Sequence, residues 1–495
     1  MTPKRQRPTR SSSPLAVCAT LLLALVSVPA VGRAVEPCDG WDLVATPNVG
    51  NSVTRLTAVT ALNANDAWAV GLWRNEPAGF GPVAMRWDGS AWSLTGLPGT
   101  GHLGTLPATA GVDAAPNGDV WIVGNVTSTY PTYNLPLVLR WREGDWDVAE
   151  AVTLRPQTVY PFAARGGLLY DMAALAADDI WAVGQAGGFG DGGATSVPLA
   201  VHWNGSSWSE VDVPGVANRH HELSDVVAIA HDDVWAVGDY RNIAGAFHAI
   251  TYHWDGQAWS HIDSPIEHMG TSGLDDVVAT GPNDVWAIGV AEGAVALMHW
   301  DGSQWSLAPA PANSGGSLAA VGPMDLWASG WNGFWHWDGT AWTEVPAAVP
   351  GASYVIRGGG MEIVGDCDIW SVGFWTLADG ITSFTLAERL QPATTSVMGE
   401  SAPGLALEFR NPFLPGSPIR FETPSEQPVT LALHDLSGRK VGSLFKSSST
   451  RGTRSLTWNG RGDAGAPLPR GVYYLTLDAG DKRTIKKLVL LGAGR

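Results

Sequence analysis

Three carboxylates recur at one offset. Asp171, Asp225 and Asp276 each stand eight residues ahead of an Asp in an Asp-apolar-Trp motif, at Asp179, Asp233 and Asp284. At matching points of successive repeats they form an arc, and an arc of carboxylates can hold Ca²⁺, which takes oxygen ligands. The alternative is hydrogen bonding at turns and strand ends, the ordinary use of Asp there. No other cofactor is implied. Of the 12 His, His202, His253, His299 and His336 precede a repeated Trp, a slot that Arg86, Arg140 and Arg389 fill elsewhere. That exchange points to a structural or solvated role. His220, His221, His231, His248, His261 and His268 crowd one region without the spacing of a zinc site. There is no Gly-x-Ser-x-Gly, no nucleophile–base pair and no paired Glu motif, and Arg461-Gly462-Asp463 reads as turn chemistry.

The elements that must position such groups follow from the Trp pattern. Asp-apolar-Trp occurs seven times, at Trp68, Trp121, Trp181, Trp235, Trp286, Trp327 and Trp370, with spacings of 53, 60, 54, 51, 41 and 43 residues. Periods of this size mark a propeller or a solenoid. Within one copy the runs Leu223–Ala228, Val234–Gly238, Thr251–Trp254 and Trp259–Ile262 read as four short strands, a to d. Asp-Gly between c and d supplies the positive φ of a tight hairpin. Strand b, as Val-Trp-Ala-Val, is apolar on both faces, which fits a sheet sandwiched between sheets.

Copies one to six carry a second signature, the Trp pairs 87/92, 141/146, 203/208, 254/259, 300/305 and 337/342. Copy seven lacks the pair, having Leu390 at the first place and no fourth strand. The segment CDGWDLVATP at 38–47 resembles the missing tail, with Trp41 as the second Trp. The expected fold is therefore all-β: a seven-bladed β-propeller over 35–395, closed by its N-terminal strand. Twenty of the 25 Trp then have a packing cause. The closure brings Cys38 and Cys367 to one blade, and in an exported protein they should form a disulfide.

Export is read from the first 34 residues, a basic n-region followed by an apolar run ending in small residues, which reads as a signal peptide. No later stretch is long and apolar enough to span a bilayer. The formal net charge is −17 at pH 7 and is unevenly placed. Residues 35–395 hold 11 Arg, no Lys and 39 acids, whereas 396–495 carry a net +6. A surface this acidic repels phosphate backbones, so nucleic acid is not an expected partner.

The a–b and c–d turns are short in every copy, while the d–a and b–c connections, which share the opposite face, are long in the first four. They carry Trp73, Arg74, Tyr130, Tyr133, Tyr160, Phe162, Tyr240 and Arg241, which are the candidate ligand-binding residues.

Residues 35–395 resemble Trp-rich secreted bacterial propellers that repeat D-V-W-A-V-G and H-W-D-G-x-x-W, and more distantly tectonin and kelch-type propellers, families that include glycan and surface binders as well as oxidases. After a linker at 396–404, residues 405–495 resemble the flagellar-hook-cap immunoglobulin-like domain and the type A sorting tail of the type IX secretion system. The matching residues are Asn411-Pro412-Phe413, Asp435, Gly438-Arg439, Trp458, Gly460-Arg461, Gly471-Val472-Tyr473 and Lys486-Lys487. The resemblance implies export through secretion machinery and anchoring at the outer surface. Alternation in V-T-L-A-L-H and V-Y-Y-L-T-L independently argues a β-sandwich. Two functions follow: a secreted or cell-surface binding protein whose loop face takes an extracellular glycan or other polymer, and a glycan hydrolase or lyase using scattered carboxylates on that face. The absence of a catalytic motif weighs little between them, since propeller enzymes can scatter catalytic residues over blades; the first is the expected function.

Overall fold

The computed structural model describes residues 38–392 and 406–490, apart from 50–51, 76–78, 99–104, 128–133, 150–151, 153, 155–165, 188–195, 216–219, 243, 332, 348–353, 366, 378–381, 410–412, 414, 435–438, 464, 469–470 and 481. The leader at 1–34 and the linker at 396–404 lie outside the described residues. Among these residues the structure is all strand, and no helix is long and apolar enough to cross a membrane.

Each of seven blades is a four-stranded antiparallel meander. In blade four the order from the channel outward is His220–Ala230, Asp233–Arg241, Phe247–Trp254 and Trp259–His261, strands a to d. Strand b explains the architecture. Val234, Trp235, Ala236 and Val237 are almost completely buried, because alternate side chains enter different layers. Val234 and Ala236 pack with Trp181 of blade three, whereas Trp235 and Val237 pack with blade five.

The strand b Trp lies against the Trp pair of the next blade at six of the seven interfaces. Ring centroids are 5.0 and 5.4 Å apart for Trp68 on Trp141 and Trp146, 5.3 and 5.9 Å for Trp121 on Trp203 and Trp208, and 5.0 and 5.3 Å for Trp181 on Trp254 and Trp259. Trp235 meets Trp300 and Trp305 at 4.8 and 5.3 Å, and Trp286 shares a cluster with Trp337 and Trp342. Trp370 returns to Trp87 and Trp92 of blade one at 5.2 and 5.1 Å. Burying 150–250 Å² at about 25 cal/mol per Å² gives roughly 4–6 kcal/mol of transfer free energy per indole, as an upper estimate.

The repeated Asp and the residue before the c-strand Trp form a second seven-fold set. The carboxylate of Asp179 meets His202 Nε2 at 2.7 Å, Asp233 meets His253 at 2.8 Å, Asp284 meets His299 at 2.7 Å and Asp325 meets His336 at 2.8 Å. Arg86 pairs with Asp66 at 2.7 Å, Arg389 with Asp368 at 2.6 Å, and Arg140 with Asp119. Each basic group lies over the strand b Trp of its own blade, as His299 does on Trp286 at 4.2 Å and Arg140 on Trp121 at 4.7 Å. The first Asp of the repeat is therefore more than a turn residue: it opens strand b and fixes the base that covers the indole.

At five c–d corners only Gly carries positive φ, between 86° and 92° at Gly89, Gly205, Gly256, Gly302 and Gly339, whereas in blade two both Glu143 and Gly144 do, at 54° and 93°, between paired Arg142 and Asp145. The preceding Asp caps the turn instead, as Asp88 Oδ1 accepts the N–H of Ser90 and of Ala91 at 2.8 Å. The loop is thus four residues long, between paired Trp87 and Trp92.

Blade seven is closed as expected. Cys38–Val44 pairs antiparallel with strand c, Ser383–Pro392, with Trp41 opposite Leu390. Trp41 stacks on Phe334 at 3.5 Å and meets Trp327 edge-on at 5.7 Å, completing the sixth interface. Cys38 and Cys367 are disulfide-bonded, with Cα atoms 5.5 Å apart across 329 residues. Strand a of blade seven is split into Tyr354–Ile356 and Met361–Gly365.

The C-terminal strands Ala406–Phe409, Pro418–His434, Lys440–Thr457, Gly471–Ala479 and Lys482–Leu490 form one hydrogen-bonded sheet. The two long strands break register four times, at Thr423/Gln427 and beyond. A single core of Phe413, Phe421, Leu431, Trp458, Leu475 and Leu488 results. Trp458 donates its indole N–H to the Arg461 carbonyl at 2.9 Å, and Asp463 Oδ1 accepts the Ser443 N–H at 2.6 Å, so the Arg461-Gly462-Asp463 segment is a held turn.

Replacing Cys38 and Cys367 by Ser is expected to cost about 2–5 kcal/mol, read as a lower midpoint in urea or thermal unfolding against the oxidised wild type. An unchanged midpoint would mean that strand pairing and Trp41 close the ring unaided.

Candidate functional site

The channel wall is made by the seven a strands, and one local device shapes it. Strand a carries a register shift in blades one to six opposite the Gly that ends strand b's apolar run, as between Leu169 and Asp171 and between Leu223 and Asp225, and in blade seven it is interrupted there. A Cβ on Gly71, Gly184, Gly238, Gly289 or Gly373 would come within 2.0–2.2 Å of a strand a carbonyl oxygen. Glycine is required there by close approach, and the bulge it permits re-aims the next side chain.

Asp171, Asp225 and Asp276 follow that bulge, and the structure brings them together. Asp225 is hydrogen-bonded to both Asp171 and Asp276. Its Oδ2 also accepts the Val277 N–H of blade five at 2.6 Å, and Asp276 Oδ2 accepts the Leu318 N–H of blade six at 3.1 Å. Burial first, then the Asp225 charge, pushes Asp171 and Asp276 well above the usual carboxylate range. Oxygens of Asp225 and Asp276 are thus already bound to backbone N–H groups of the next blade, and the described residues contain no group of three His, Cys, Asp or Glu arranged to hold a metal. The geometry is that of hydrogen bonding between strand ends.

The sequence reading missed a second tier. Asp113 Oδ2 accepts the Ala174 N–H at 2.7 Å, and Glu362 accepts the Ala61 N–H of blade one. Both stand opposite the strand b Trp, two places along from the bulge, so Asp113 is six and not eight residues before its repeat Asp. Burial raises both. Together the tiers line a cavity of about 690 Å³ with six carboxyls, the sixth being Asp275, and no basic residue among its described lining.

The loop-face candidates divide. Tyr130, Tyr133, Tyr160 and Phe162 lie outside the described residues. Trp73 is half-buried over Gly81, and Arg74 is exposed. Tyr240 belongs to the core between blades three and four, stacked on His248 at 5.3 Å, which withdraws its ring from solvent. Arg241 is exposed above Phe247 at 5.5 Å, with Nε donating to the Gly245 carbonyl at 3.1 Å. The four described residues therefore sit in two pairs on blades one and four, three blades apart.

What the face does gather is different. Of the nine exposed large apolar residues among the described residues, Phe80, Phe247, Val290, Trp331, Tyr354 and Leu377 stand at strand ends on the loop side, and one, Met324, on the opposite face. A cleft of about 220 Å³ opens among blades five, six and seven, between Val290 and Trp331 and over Asp275. Trp331 and Tyr354 meet edge-on at 5.1 Å. Beside the cleft, Glu222 and Asp239 are directly paired across strands a and b of blade four. Burial, then Glu222 and Asp275, push Asp239 up to about 7.

Comparison with known proteins bears on this frame. Residues 410–482 match the FlgD Ig-like domain. The C-terminal region is an Ig-like domain of that kind. Among solved structures, PorZ, a bacterial surface component of the type IX secretion system of Porphyromonas gingivalis, is similar at 12% identity over 89% of this chain and 70% of that one, with a TM-score of 0.32. An α-L-arabinanase of Penicillium chrysogenum is similar at 11% over 69% and 98%, TM-score 0.40, and the propeller domain of the Trilobed protease of Pyrococcus furiosus at 10% over 68% and 96%, TM-score 0.40. Likeness at this level bears on neither ligand nor chemistry. A comparison with curated proteins returns no significant match.

Asp239 generates a pH prediction. A carboxyl held above its ordinary 3.8 binds more protons folded than unfolded, so its stabilisation is complete below about pH 4 and is lost as pH rises through about 7. Asp239→Asn is expected to raise the thermal midpoint at pH 8 and leave it unchanged at pH 4. Equal shifts at both pH values would remove the titration from the explanation.

Proposed function

We propose that the protein is an exported binding protein whose loop face engages an extracellular glycan or comparable surface polymer, with the Ig-like domain serving export and surface attachment. The observation that carries the reading is the sorting of exposed apolar side chains: among the described residues, six of nine lie on the face that also bears the long connections. Singly exposed apolar residues need no cause, but their concentration on one face of a rigid scaffold does. Flat aromatic and aliphatic surface suits the apolar faces of sugar rings, and separate blades suit successive units of a polymer.

The basic-apolar leader and the disulfide support passage to an oxidising compartment. The resemblance of 405–495 to a type A sorting tail supports recognition by secretion machinery. A hydrolytic reading draws on Asp239, a carboxyl pushed up to about 7 beside Glu222, since a carboxyl protonated near neutrality is what general acid catalysis uses.

A glycan array probed with the disulfide-intact full-length chain, followed by product analysis on every hit, separates the two. Saturable binding with no released sugar is expected, and release abolished by Asp239→Asn would turn the assignment to a hydrolase. Deleting 405–495 is expected to leave the propeller folded, by its thermal transition, and to abolish display on the producing cell. Undiminished display would sink the sorting role.

A further inference from the structure

The cleft among blades five, six and seven is built more specifically than the rest of the loop face. Trp331 stands at its edge with half of its surface in solvent, yet the backbone beneath it is fixed. The Arg357 guanidinium donates from Nη1 to the carbonyls of Trp331 at 3.0 Å and Gly330 at 3.3 Å. Its Nε and Nη2 are held by Glu388 at 2.6 and 3.0 Å, with both side chains fully buried. A buried, fully paired guanidinium fixes geometry at a high cost if either partner is lost. The indole is thus a preset platform, and Arg357, the one cation in the described lining of the cleft, is already neutralised.

Opposite the platform the cleft offers Val290, Val295 and Val355, and two polar groups. One is Ser314, whose Oγ is buried without a hydrogen-bond partner in the described structure. The other is Asp275, on the partition between cleft and channel. It sits at the unpaired position of the blade-five bulge, between Leu274 and Asp276. Asp275 faces the Glu222–Asp239 pair one blade away. Like charges directly opposed across two strands oppose pairing, and one Asp239 oxygen is buried without a partner. No Lys occurs anywhere in residues 35–395 to offset these acids.

An aromatic face, an unmet hydroxyl and uncompensated carboxyls call for a ring with an apolar face, hydroxyls and positive charge. The volume, about 220 Å³, is below the roughly 300–1,000 Å³ of pockets for drug-sized ligands, so it holds one ring. We infer that this cleft is a subsite for an amino sugar with a free ammonium group, stacked on Trp331 and paired through its ammonium with Asp275. The inference rests on the glycan-binding reading and narrows it: acidic and N-acylated sugars are disfavoured, the first by repulsion and the second by loss of the charge.

The test is calorimetric titration of the disulfide-intact full-length chain with β-1,4-linked glucosamine tetramer, its N-acetylated counterpart and cellotetraose at pH 6 and low salt. The glucosamine tetramer is expected to bind at least 10-fold tighter than either homologue. Trp331→Ala and Asp275→Asn should each weaken it by 10-fold or more, Trp331→Phe should retain most of the affinity, and Met324→Ala on the opposite face should change nothing. Thermal midpoints of all variants separate lost binding from lost fold. Affinity equal for the three tetramers, or indifferent to Asp275→Asn, overturns the ammonium assignment and leaves glycan binding intact if Trp331→Ala still matters. Tetra-lysine binding equally tightly with the same dependence on Trp331 and Asp275 overturns the sugar. If no glycan binds in any assay, the parent reading fails with it.

Discussion

Every blade interface turns on one indole. The strand b Trp faces a Trp pair, or Trp41 with Phe334 at the sixth interface, so neighbouring sheets are set at a spacing that admits an aromatic layer and nothing wider. Strand b, buried on both faces, has no freedom left, and its neighbours must adapt. Strand c adapts by placing His or Arg over the indole and tying it to the first Asp of strand b. Strand a adapts by bulging past the Gly of V-W-A-V-G, where no Cβ would fit. The channel lining is a downstream effect of that bulge.

Two sets of acids differ by what their oxygens do. Asp113, Asp225, Asp276 and Glu362 each give an oxygen to a backbone N–H of the following blade, so in the channel the carboxyls serve as mechanical tethers. Glu222, Asp239 and Asp275, further toward the loop face, meet chiefly one another. A scaffold that satisfies its acids so regularly elsewhere makes the unsatisfied ones informative.

The architecture was legible because its cause repeats. Seven Asp-apolar-Trp motifs and six Trp pairs register one packing problem solved many times, and the gap at Leu390 pointed to Trp41. The site was less legible because its parts do not repeat. Asp113 and Glu362 serve as tethers from another register position, which an offset of eight cannot find. Tyr240 has the same residue type as a binding aromatic but lies one strand end too deep. Loop length does not reveal Trp331, because Gly330 and Gly333 bound the b–c connection of blade six tightly. Its signal was there: it is one of five Trp that no repeat position explains, with Trp73, Trp335, Trp375 and Trp458.

The closure has a kinetic side. The strand that completes blade seven is the first described and its partner, Ser383–Pro392, is among the last of the propeller, so no circular structure exists until about 350 residues have been made and delivered. Until then blade one shows an uncovered Trp87–Trp92 layer, blade six an uncovered Trp327, and both present unpaired backbone. Contacts of such sequence separation form late and slowly. The nascent ring is therefore a sticky open arc for most of its synthesis, and the acidity of the propeller region, with its mutual repulsion between chains, acts as the dispersant that keeps one arc from joining the next.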